Sequence, residues 1–196
     1  MKPFSQASEN NKSHILDKLM HCFADRCHVL EIGSGTGQHA VYFSANLPHL
    51  IWQTSDRVEN HEGIHLWCNE SDGDNLRLPI ALDVSQPEWP SDFDGVYSSN
   101  TAHIMPWELT KRMLTEVATG LPSGGIFALY GPFKYNGEFT SESNASFDAF
   151  LKASNPSQGI RDFEKVNDVA KLAGLTLLND YDLPANNRLL VWRKRD

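Results

Sequence analysis

The sequence predicts an α/β fold built on a doubly wound, mostly parallel sheet. Three observations carry that expectation. A short apolar run at 29–32 leads into three alternate glycines and then a helical pattern, the unit that sets a helix N-terminus against a nucleotide-like ligand. Further apolar runs of strand length alternate with helical patterns through most of the chain. Several of those runs close on Asp or Asn, where open sheets bind ligands.

Taken in order, residues 1–10 are polar and either stay loosely ordered or fold over the ligand cleft. Ile15, Leu16, Leu19, Met20 and Phe23 give residues 12–23 helical spacing. The first strand ends at Ile32, and a helix follows from Gln38, with Ala40, Val41 and Phe43 free to pack. Leu50-Ile51-Trp52 opens a second strand ending near Asp56, and a helix over 58–68 is expected after it. Residues 79–84 read as a third strand and residues 93–100 as a fourth. Pro106 suits the first turn of a helix over 106–119, whose apolar face is Leu109, Met113, Leu114 and Val117. Ile126–Tyr130 is a buried fifth strand.

Residues 131–144 read as a long polar loop, and loops of that length in a domain tend to be functional. Helices are expected over 145–153 and 160–173, the second closed by Gly174. Strands over 175–181 and 189–193 are joined by a connection short enough to require an antiparallel hairpin. The total is seven strands, mostly parallel, with an antiparallel last strand at the sheet edge.

Composition bounds the function. A chain of 196 residues fits one domain, here 1–196, and its 40% hydrophobic content supports a core. No apolar run approaches the roughly 20 residues that span a bilayer, so no membrane partner is expected. Cys22, Cys27 and Cys68 show no metal-like pairing, and the N-terminus has no apolar signal core, which together point to a cytoplasmic setting. A net charge of −8 argues against a nucleic-acid surface. The basic run at 193–195 reads as a solvated tail. The histidines are too scattered for a metal site.

The glycine loop chooses among ligands. A dinucleotide fingerprint places a third glycine at position 38, which is Gln38 here. The spacing is instead Glu31-x-Gly33-x-Gly35-x-Gly37, with an acid at the strand end. A carboxylate there would repel a pyrophosphate and could hold an ammonium group. This resembles motif I of the Rossmann-like class I S-adenosylmethionine-dependent methyltransferases. Asp56, 19 residues past Gly37, stands where an acid commonly accepts hydrogen bonds from a ribose, and it can also cap the next helix.

A closer resemblance runs from about residue 10 to residue 193. The segments GTGQHAVYF (35–43), WQTSD (52–56), HIMPW (103–107), YGPF (130–133), FTSESNASFD (139–148), GIRD (159–162) and PANN (184–187) together resemble an uncharacterised methyltransferase-like family related to the proteins named methyltransferase-like 26. That family shows Arg-Asn-Lys where Asn10-Asn11-Lys12 stands, and Met where Leu183 stands. The resemblance implies the class I fold and S-adenosylmethionine binding, without supplying a substrate. By that resemblance the cofactor set is Glu31, Gly33, Ser34, Gly35, Gly37, Gln38, Asp56, Asp83, Val84 and Asn100, with Asp83 placed to meet the adenine amino group.

Methyl transfer from a sulfonium needs alignment and exclusion of water more than a fixed triad. His103 is a candidate base, the plainer alternative being a helix cap or packing beside Trp107. Tyr130 and Arg161 are candidates for the acceptor side, where Arg161 could pair with a carboxylate or merely with a local acid. No Asn-Pro-Pro-Tyr segment follows the fourth strand, which disfavours exocyclic amines of DNA as acceptors. A small-molecule methyltransferase ranks first, ahead of a nicotinamide-dependent oxidoreductase and a non-catalytic S-adenosylmethionine-binding protein.

Overall fold

The computed structural model describes residues 2–196. In chain order its elements are α1 (Gln6–Cys22), β1 (His28–Ile32), α2 (Gln38–Asn46), β2 (Ile51–Asp56), α3 (His61–Cys68), β3 (Leu76–Ala81), β4 (Gly95–Ser99), α4 (Trp107–Gly120) and β5 (Ile126–Gly131). Then come β6 (Phe133–Tyr135), β7 (Glu138–Phe139), α5 (Glu142–Ser154), β8 (Arg161–Asp162), α6 (Phe163–Leu172), β9 (Leu175–Leu183) and β10 (Asn187–Lys194).

Seven strands form one sheet in the order β3-β2-β1-β4-β5-β10-β9. The first five are parallel, and β10 runs antiparallel to both β5 and β9. The α/β class, the strand count and the antiparallel last strand therefore match the sequence expectation. That last strand does not form the sheet edge, however, because β9 lies outside it. The order reverses between β1 and β4, so the crevice at their C-terminal ends is the place for a ligand.

Alternation along each strand divides the core into two. On one face Ile15, Leu16 and Leu19 of α1 and Phe43 of α2 pack over Val29, Trp52, Tyr97 and Ala128. On the other, Met113, Leu114 and Val117 of α4 and Val166 and Ala170 of α6 cover Leu30, Val96, Phe127 and Trp192. Strand β5 sends Ala128 and Tyr130 to the α1 side and Phe127 and Leu129 to the α4 side.

Three local differences have physical causes. Helix α1 begins at Gln6 rather than residue 12, because the Ser5 hydroxyl caps it by accepting from the Ser8 N–H at 3.2 Å. Its first turns bury no apolar residue, so periodicity cannot reveal them. The expected loop at 131–144 contains the β6–β7 hairpin, turned at Asn136-Gly137 with φ of 52° and 80°. The helix expected from residue 160 starts at Phe163, since Arg161 and Asp162 pair in parallel with Phe133 and Lys134.

Candidate functional site

A cavity of about 700 Å³ lies over the C-terminal ends of β1, β2 and β4. That volume is within the usual range for small-molecule sites. The glycine loop forms its floor. Gly33 has φ 72°, and a Cβ on it would stand 2.7 Å from Thr101 Cγ2, so only glycine fits there.

Four of the five amides of this loop, those of Gly33, Ser34, Gly35 and Gly37, are spent internally. Gly33 and Ser34 donate to the Ser55 carbonyl at 3.1 and 2.9 Å, and Gly37 donates to the Ser34 carbonyl at 2.8 Å. Gly35 donates to Asp56 Oδ2 at 2.8 Å. Anion-binding glycine loops work by pointing such N–H groups at a phosphate. Here those four groups point elsewhere.

Carboxylates take the place of an anion. Glu31 is buried at the end of β1, where Oε2 accepts from Ser34 Oγ at 2.9 Å and Trp52 Nε1 at 3.2 Å. Burial pushes its pKa up to about 7; the Trp52 and Ser34 hydrogen bonds oppose the rise and the Asp56 charge adds to it. Asp56 Oδ1 accepts from the Arg57 N–H and from Asn60 Nδ2, both at 2.8 Å. Oδ2, which accepts only from Gly35, keeps a lone pair for a ligand hydroxyl. Asp83 also lines the cavity, beyond the end of β3, with the Ser85 hydroxyl and N–H holding its carboxyl below the usual range. Arg57 is the one guanidinium on the cavity wall, and it is paired with Glu59.

Eight of the ten expected cofactor residues line this cavity: Glu31, Gly33, Ser34, Gly35, Asp56, Asp83, Val84 and Asn100. Asn100 does so with φ 57°, a left-handed conformation that Asn tolerates better than most residues. The other two face away. Gly37 packs against α3, where an added Cβ would lie 3.2 Å from Trp67 Cβ. Gln38 turns toward α1, its Oε1 accepting the Ser5 N–H at 2.6 Å.

The expected acceptor residues do not line the cavity. Tyr130 is sent under α1 by strand alternation, and its hydroxyl stands beside Asn11 and Asn187. Arg161 is neither free nor paired with an acid. Its guanidinium donates to the carbonyls of Ala102 at 2.9 Å, Ser157 at 3.0 Å and Met105, so it pins the loop after β4.

His103 belongs to that same loop and is buried, edge-on to Phe147, with ring centroids 5.3 Å apart. Burial and the Arg161 charge lower its pKa to about 4, which keeps the imidazole neutral. It faces the bare Cα of Gly131. A Cβ there would lie 3.7 Å from His103 Nδ1 and 3.8 Å from Asn100 Oδ1. Those are ordinary contact distances, so there is room for no more than a methyl group, and of the two residues only Asn100 lines the cavity.

His39, whose place at the start of α2 fits either ligand contact or packing against the loop, lines the cavity. Its Nε2 lies 2.7 Å from Asn11 Oδ1 and its Nδ1 lies 3.2 Å from the Tyr97 hydroxyl. An Nε2–H tautomer satisfies both contacts, and burial lowers the ring pKa to about 4. Ser5 and Ser8 at the start of α1 also line the cavity. In the sequence only the polar N-terminal segment points to them, as a stretch that folds over the cleft. Among the described residues no cluster of His, Cys, Asp or Glu is arranged to hold a metal ion.

Residues 2–194 match the model of a family described as a protein of unknown function, DUF938. The chain belongs to the DUF938 family. Among solved structures this DUF938 chain is similar to an O-methyltransferase family 2 protein from Planctomyces limnophilus in complex with apigenin, at 18% identity and TM-score 0.85, covering 96% of this chain and 57% of that one. It is also similar to the S-adenosylmethionine-dependent methyltransferase SibL, at 18% identity and TM-score 0.82, over 97% of this chain and 56% of the other. A third is PigF with SAH, at 17% identity and TM-score 0.77, over 88% and 52%. The DUF938 chain spans a little over half the length of these proteins. At such identities the likeness establishes the fold they share.

Proposed function

We propose that this chain, as one domain over 1–196, is an S-adenosylmethionine-dependent methyltransferase acting on a small molecule. The observation that carries the reading is the pairing of spent glycine-loop amides with three carboxylates, Glu31, Asp56 and Asp83, around one cavity. That donor set suits a ligand with an ammonium, a sulfonium and ribose hydroxyls, and it opposes a pyrophosphate. Kinship with the methyltransferase-like 26 proteins belongs to the same reading, as does a cytoplasmic setting for its three free thiols.

When bound, the cofactor would supply an activated methyl group. The residues of this chain do the rest. Glu31 would hold the ammonium, Asp56 the ribose hydroxyls, and Asp83 with the Val84 backbone the base. Asn100, on the cavity wall, would position the acceptor. His103, neutral but outside the cavity lining, would take a proton from an acceptor hydroxyl once the loop after β4 shifts to uncover it. Among the described residues no helix is long and apolar enough to cross a membrane.

Calorimetry with S-adenosylhomocysteine and with NADH tests the first step. Heat with the former alone supports the reading, and binding of NADH alone overturns it in favour of an oxidoreductase. Labelled S-adenosylmethionine with a metabolite panel tests the second step. Tight binding with no transfer to any acceptor would favour a non-catalytic binding protein.

A further inference from the structure

The buried side chains of α1, Ile15, Leu16 and Leu19, all lie in its second half. Residues 2–12 are held to the body by polar contacts instead. Trp67 Nε1 donates to the Pro3 carbonyl at 2.7 Å, and the Lys2 ammonium stands 3.4 Å from the centre of the Trp67 ring. Gln38 grips Ser5 from both sides: Oε1 accepts the Ser5 N–H at 2.6 Å and Nε2 donates to the Ser5 carbonyl at 3.3 Å. The same Nε2 donates to Glu9 at 3.1 Å, and Asn11 meets His39 at 2.7 Å.

This polar segment also roofs the cavity, through Ser5 and Ser8. Its seat is cut to fit. Gly63 lies within α3, where alanine would favour the helix, yet a Cβ at Gly63 would come within 2.8 Å of Pro3 Cγ. The glycine gives up helix propensity and leaves room for the segment.

We propose that residues 2–12 form a strap, hinged ahead of the buried Ile15, that lifts to admit a ligand and closes over it, with Gln38 as latch and Gly63 as seat. Polar tethers suit that role, because water replaces them in the open state at little net cost. The apolar half of α1 stays docked and guides the strap back. This rests on the reading of the cavity as a ligand site.

Hydrogen exchange followed by mass spectrometry tests it, on the full chain and its Gly63→Ala variant, each with and without S-adenosylhomocysteine. Without ligand, amides 6–12 should exchange faster than amides 15–22, and Gly63→Ala should speed 6–12 by about tenfold while leaving the sheet unchanged. Saturating ligand should slow 6–12 in the unaltered chain by about tenfold. Equal protection of the two halves of α1, or no response to Gly63→Ala, overturns the strap. So does ligand binding, seen by calorimetry, that leaves 6–12 unchanged. If calorimetry shows no binding, the cofactor reading falls, and the strap is decided by the two ligand-free comparisons.

Discussion

The backbone N–H of Gly35 donates to Asp56 Oδ2 at 2.8 Å. One carboxylate thereby fixes the middle of the glycine loop and presents a remaining lone pair to the cavity. Asp56→Asn keeps the volume but has only one oxygen for the donors of Gly35, Arg57 and Asn60. Affinity for S-adenosylhomocysteine should fall by about 1.5–3 kcal/mol, the usual loss for a hydrogen bond to a charged group. Calorimetry showing unchanged affinity would remove Asp56 from the site.

Glu31→Gln should move stability and binding in opposite directions. The folded-state pKa of Glu31, about 7 against an ordinary 4.5, means the folded chain holds its proton longer than the unfolded chain. Its contribution to stability is therefore present in full below 4.5 and lost as pH rises through 7. The variant removes that loss and should raise Tm at pH 8 by roughly 5 °C. It should also bind S-adenosylhomocysteine more weakly. In the unaltered chain affinity should decline below pH 7, where Glu31 takes up the proton that an ammonium ligand must displace. Flat affinity between pH 5.5 and 8 would show that Glu31 does not face the ligand's charge.

The two buried histidines give the opposite slope. His39 and His103 titrate near 4 when folded and near 6.5 when unfolded, so the unfolded chain binds more protons between those values. Stability from this pair is present above 6.5 and is lost as pH falls toward 4. His103→Gln should lower the slope of unfolding free energy against pH in that window by about one proton, or about 1.4 kcal/mol per pH unit. Urea titrations at pH 4.5, 5.5 and 6.5 read it directly. An unchanged slope would place the His103 ring in contact with water.

Arg161→Met should act on structure before chemistry. The guanidinium holds the carbonyls of Ala102, Met105 and Ser157, and removing it strands partly buried acceptors. A loss of about 1–3 kcal/mol in stability is expected. For any acceptor found, Arg161→Met and Arg161→Lys should lower turnover of charged and neutral analogues alike. A loss confined to carboxylate-bearing acceptors would restore Arg161 to the pocket.

What could be read from the chain was whatever local spacing determines. Glu31, the glycines and Asp56 form one strand-turn-helix-strand passage, so their order along the chain sets their place in space. The central strands β1, β4 and β5 were legible because both faces of the sheet are covered there. Tyr130 and Arg161 went astray for different reasons. Whether a residue at a strand end turns up or down depends on parity, which is fixed by contacts with α1 far away in sequence. An arginine beside a polar loop looks free until the carbonyls that claim it are placed. Ser5 and Ser8 reach the cavity only because Gln38 and Trp67 hold the chain there. Asn136-Gly137, by contrast, marks its turn in the local sequence alone.

The spent amides of the glycine loop bear on competition inside a cell. ATP and the nicotinamide dinucleotides share a ribose and a base with the proposed cofactor, and they are abundant. In this cavity their phosphates would meet Glu31 and find the N–H groups of Gly33, Ser34, Gly35 and Gly37 already taken. The loop therefore screens its ligands by refusing the commonest ones. It keeps the site open for a scarce cationic nucleoside, with the Glu31 carboxylate serving both to bind and to exclude.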